Sequence, residues 1–140
     1  MLESIQPYST ALLCLIVLVL VVSAQGFISV FVNLIKGKSV PGEPVAGDHK
    51  DASWRTYRVH QNSVENFSPF AATVFAGILV GASAGWINIL SVIYLVARLA
   101  HWVIYSQGIG AVASGPRTIS YVAGFASNVV MALVVLFAAI

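Results

Sequence analysis

The pattern of apolar and polar positions divides the chain into four long hydrophobic stretches and one polar gap. Tyr8 to Ile35 is apolar almost throughout. A helix needs roughly 20 residues to cross a bilayer, so this one can tilt or project. Between positions 36 and 55 the periodicity fails. Lys36, Gly37, Lys38, Pro41, Gly42, Pro44, Gly47 and Asp48 punctuate it, which predicts a loop. A second helix is expected over about 56–82, a third over 87–107 and a fourth over 117–139. Pro69 lies inside the second and predicts a kink. Gly77, Gly81 and Gly85 recur at every fourth position, a small-residue spacing that permits close helix contact. Pro116 suits the first turn of the fourth helix. The reading is one domain, 1–140, built as an all-α integral membrane four-helix bundle.

Composition strengthens the membrane reading. The chain is 59% hydrophobic and 9% charged, against about 25% charged in soluble domains. No cleavable signal is expected, because Glu3 and no Lys or Arg precedes the first apolar run. The basic residues set an orientation. Lys36, Lys38, Lys50 and Arg55 sit in or beside the first loop, and Arg117 ends the third connection. Positive-inside bias then puts loops 1 and 3 in the cytoplasm and both termini outside. A bacterial inner membrane is the expected location. Cys14, the one cysteine, reads as a small core residue.

Polar residues inside apolar helices carry the remaining information. Gln25, Ser29 and Asn33 form a stripe on the first helix, best placed against protein or along a polar cavity. On the second helix Arg58, Asn62 and Glu65 share one face, flanked by His60 and Gln61. Arg98, His101 and Tyr105 share a face of the third, and Arg117, Tyr121 and Asn128 a side of the fourth. At a rise of about 1.5 Å per residue, Glu65, Arg98 and His101 fall at similar depths, roughly 10–15 Å in. A buried charge costs at least ~2.5–3.5 kcal/mol on insertion scales. Glu65 and Arg98 are therefore expected to form a structural ion pair, within or between subunits. The arginines surround a polar pocket that favours an anionic ligand carrying one ammonium. No metal-ligand, phosphate-loop or serine-nucleophile motif is visible, so metal and nucleotide hydrolysis are disfavoured and no metal is expected. Nothing points to nucleic acid.

Three blocks carry a family resemblance. Arg58-Val-His-Gln-Asn-Ser-Val-Glu65, followed by Pro69-Phe70, resembles the second-helix signature of the MAPEG family, membrane-associated proteins in eicosanoid and glutathione metabolism. Ala97-Arg-Leu-Ala-His101 with Tyr105 is similar to its third-helix signature, and Pro116-Arg-Thr-Ile-Ser-Tyr121 to the start of its fourth. The resemblance implies a homotrimer with a glutathione site between subunits, facing the cytoplasm. It implies that Arg58, Asn62, Glu65, His101, Tyr105, Arg117 and Tyr121 contact glutathione, the co-substrate, while Arg98 holds the helices. Arg117 is the first candidate for stabilising the thiolate and Tyr121 the second. Gln61 and Thr118 differ from residues of some members, which puts prostaglandin isomerisation in doubt and leaves conjugation or peroxidase chemistry open.

The leading expectation is a membrane glutathione transferase or peroxidase acting on lipophilic electrophiles or lipid hydroperoxides. Two alternatives remain. One is a non-catalytic trimer binding lipid or a partner; the other is a small proton-coupled exporter using Glu65. Arginines clustered near Glu65 work against the exporter.

Overall fold

A computed structural model describes residues 2–37, 40, 43–110 and 114–140. The chain forms helix α1 (Leu2–Ile5), a 3-10 turn (Gln6–Tyr8), then α2 (Ser9–Ile35), α3 (Ala52–Leu79), α4 (Ala84–Gln107) and α5 (Pro116–Ala139). Four long helices thus make up the protein. Lys38, Pro41 and Gly42, used as loop markers in the sequence, lie outside the described residues.

Helical structure starts earlier than Tyr8. The Asn88 side chain explains how it passes Pro7. Asn88 accepts the Ala11 N–H at 3.0 Å and donates to the Pro7 carbonyl at 2.8 Å. One amide so bridges the Ala11 N–H and the Pro7 carbonyl, the two ends of a single i→i−4 bond, as a side chain inserted into the helical ladder. The stretch Glu3–Ile35 and helices α4 and α5 are long and apolar enough to span a bilayer. Their outer faces expose Leu20, Phe27, Ile119 and Phe137. The protein is an integral membrane protein. Helix α3 is of similar length, but its first half carries Arg55, Arg58, His60 and Glu65 and is less apolar, and it packs against α2, α4 and α5.

The ends of the helices follow local chemistry. Helix α3 begins at Ala52, ahead of the expected 56, because Asp51 caps it by accepting the Ser53 N–H at 2.9 Å. It ends at Leu79 rather than near Ala82. Gly81 has φ +67°, and the Ala82 N–H reaches back to the Gly77 carbonyl at 2.9 Å. That is a Schellman stop. Helix α4 stops the same way at Gly108, φ +71°, but begins at Ala84, so the expected turn at 83–85 is mostly helix. Helix α3 runs unbroken through Pro69.

The glycine spacing therefore misleads. Gly77 alone serves close packing: a Cβ there would lie 3.0 Å from Ile87 and 3.1 Å from Val135. Gly81 is a backbone stop and Gly85 belongs to the next helix.

The core gathers Leu15, Leu18, Phe70, Val74, Ile87, Tyr94 and Met131. Phe70 and Tyr94 stack with ring centroids 4.0 Å apart, a geometry that adds to their buried area. Arg55 ties the first loop to the last turn of α4 at one end of the bundle. It donates to the His49 and Lys50 carbonyls at 3.0 and 2.9 Å, and to the Ser106 carbonyl at 3.2 Å. The α2 stripe faces protein as expected: Gln25, Ser29 and Asn33 are all buried.

Candidate functional site

At the end of the bundle where α3 and α5 begin and α4 finishes, three helices enclose a cleft of about 220 Å³. Arg58 and Asn62 enter it from α3, His101 and Tyr105 from α4, and Arg117, Thr118 and Tyr121 from α5. Six of the residues singled out in the sequence thus meet in one place. Thr118 is added; it follows Arg117 directly.

Glu65 does not line this cleft. Its Oε1 instead accepts from Arg58 Nη1 at 3.0 Å, with both side chains substantially exposed. The expected Glu65–Arg98 ion pair is therefore not formed within the chain. The reason is geometric. Two turns separate Arg58 from Glu65 on one face of α3, and the long arginine arm spans them. Arg98 meets Asn62 first, donating from Nη2 to Oδ1 at 2.6 Å.

Arg98 is buried and belongs to the wall behind the cleft. Its guanidinium lies 6.0 Å from the Tyr121 ring centroid. Gly124 makes room for it, since a Cβ there would sit 3.2 Å from Arg98 Cδ. Because Asn62 Oδ1 is committed to Arg98, the amide has its N–H groups to offer the cleft.

His101 is fixed by α5. Its Nδ1 lies 3.2 Å from the Arg117 carbonyl and 3.4 Å from Ser120 Oγ. Ser120 itself donates to that carbonyl at 2.9 Å. A carbonyl only accepts, so Nδ1 carries the hydrogen between them, while Nε2 is buried and without a protein partner. The His101 ring lies 5.4 Å from Tyr105 and 5.8 Å from Tyr121. The Arg117 guanidinium sits 4.9 Å from the Tyr105 centroid, within cation–π range. The cleft is thus rich in donors and cationic, with aromatic walls. Ser120 and Gly124 carry no signal in the sequence, because their roles depend on what α4 presents to them.

His60 and Gln61 turn the other way. His60 packs on Gly26, where a Cβ would lie 3.0 Å from its ring. With Ser29, Asn33, Glu43 and Tyr57 they line a second cavity of about 330 Å³ between α2, α3 and the loop.

A comparison with curated proteins finds no match. The sequence profile of the MAPEG family, in contrast, matches residues 8–137, nearly the full length and all four long helices. The blocks around Arg58, Arg98 and Arg117 that resembled this family all fall inside that match and converge on one cleft. The chain belongs to the MAPEG family, membrane proteins linked to eicosanoid and glutathione metabolism.

Proposed function

We propose that the protein is a membrane-bound glutathione transferase, with peroxidase capacity, that works as a homotrimer. The observation that carries this reading is the convergence of Arg58, Asn62, His101, Tyr105, Arg117 and Tyr121 from three helices. Glutathione offers two carboxylates for arginine forks. Its ammonium suits the exposed Glu65 carboxylate, which Arg58 of the cleft holds at 3.0 Å. Its thiol has a pKa near ~8.5 and needs a nearby cation or donor to ionise at neutral pH. Arg117 supplies the cation, with Tyr121 as a second donor.

The size of the cleft supports an oligomer. Small-molecule sites usually span about 300–1,000 Å³, more than one chain encloses here. A second copy completes the wall. The thiolate then attacks an electrophile arriving from the bilayer: a sulfur–carbon bond forms, and the leaving group departs with its electron pair. With a hydroperoxide the thiolate attacks the O–O bond instead. The terminal hydroxyl passes to sulfur as a sulfenic acid, the released alkoxide takes a proton, and a second thiol displaces that hydroxyl as water to close the disulfide.

The proton-exporter alternative loses ground because Glu65 is held by Arg58 at 3.0 Å. Turnover of a lipophilic aryl halide by purified protein tests the proposal. Glutathione-dependent conjugation is expected, and Arg117→Ala should lower it by about 10²-fold or more, the usual effect of losing one stabilising donor. Normal turnover in that variant removes Arg117 from the role. No thiol-dependent turnover, with no protection by glutathione against heat, supports a non-catalytic binding trimer instead.

A further inference from the structure

Behind the cleft, two buried polar side chains line one small cavity. Gln25 on α2 is 2% exposed and Arg98 on α4 is 4% exposed. Neither Gln25 Oε1 nor Arg98 Nη1 has a protein partner. Both residues line a pocket of about 10 Å³, closed by Leu18, Val22, Ser63 and Phe67. An acceptor and a charged donor left unmet in such a place are costly.

Size and charge select what can answer them. A pocket needs about 10–15 Å³ to hold one water, so this one takes a water and no larger anion or organic molecule. The Arg98 charge repels a cation. A water suits both atoms, accepting from Arg98 Nη1 and donating to Gln25 Oε1. We propose that an ordered water bridges Gln25 and Arg98 here, and that Gln25 is thereby a positioning residue for the cleft. Arg98 is then held at both ends, by the water on Nη1 and by Asn62 on Nη2 at 2.6 Å. The chain Gln25–water–Arg98–Asn62 connects α2, which does not line the cleft, to an amide that does.

An experimental structure in lipid, at a resolution that shows waters, tests this directly. A peak is expected at roughly 2.7–3.2 Å from both atoms. A direct Gln25–Arg98 hydrogen bond with no peak overturns the proposal. Gln25→Leu, which removes the acceptor, should lower the melting temperature and weaken glutathione binding about tenfold, the scale of a lost outer-shell contact. Gln25→Glu keeps an acceptor oxygen and should restore binding. Wild-type binding by Gln25→Leu overturns the positioning role. The binding readout alone rests on the glutathione reading. If the wild-type protein binds no glutathione, that reading fails, while the density peak and the place of Asn62 in a Gln25→Leu structure still decide this one.

Discussion

Asn62 holds the one buried guanidinium behind the cleft, and its loss should register in stability as well as in binding. The Arg98–Asn62 bond is a charged hydrogen bond, worth about 1.5–3 kcal/mol. Asn62→Leu should cost that much, read as a fall in melting temperature in detergent. Glu65 makes the opposite prediction. Its pair with Arg58 is 39% and 54% exposed, and such pairs are worth about 0–1 kcal/mol. Glu65→Gln should therefore leave stability within about 1 kcal/mol of wild type. A loss of about 3–5 kcal/mol would indicate a broken buried pair, as between subunits. Six residues of the candidate cleft were legible because helical spacing puts Arg58 beside Asn62, His101 near Tyr105, and Arg117 beside Tyr121. Partner choice was not. Whether Glu65 takes Arg58 or Arg98 depends on side-chain reach and helix packing, which spacing does not encode.

At the scale of elements, three glycines spaced alike in sequence do three different things. Gly81→Ala should destabilise by about 1 kcal/mol, since the backbone at φ +67° is strained for any L side chain although nothing crowds a Cβ. Gly85→Ala lies in the first turn of α4, with only Ser83 Oγ near at 3.9 Å. It should be neutral or up to about 0.5 kcal/mol stabilising. Gly77→Ala must push Ile87 and Val135 aside. Equal losses at all three sites, measured by thermal unfolding, would revive the single packing face that the spacing suggested. The helices themselves were plain from hydrophobicity, and α5 starts within one residue of expectation. The starts of α3 and α4 were less plain, that of α3 because a cap such as Asp51 acts through geometry rather than through hydropathy.

For the whole molecule, α3, α4 and α5 form an open cleft at one end of the bundle, and the proposed function completes it with a second copy. A trimer is the proposed remedy, and native mass spectrometry from detergent should report three copies. A monomeric species that still binds glutathione fully would show that one chain suffices. On the proposed function, these helices build a receptor for an anionic thiol tripeptide. Calorimetric titration of the detergent-purified protein with glutathione measures that binding. Saturable binding is expected, weakened about tenfold or more in both Arg58→Ala and Arg117→Ala, as losing a charged contact implies. Absence of saturable binding, or undiminished affinity in both variants, would contradict it.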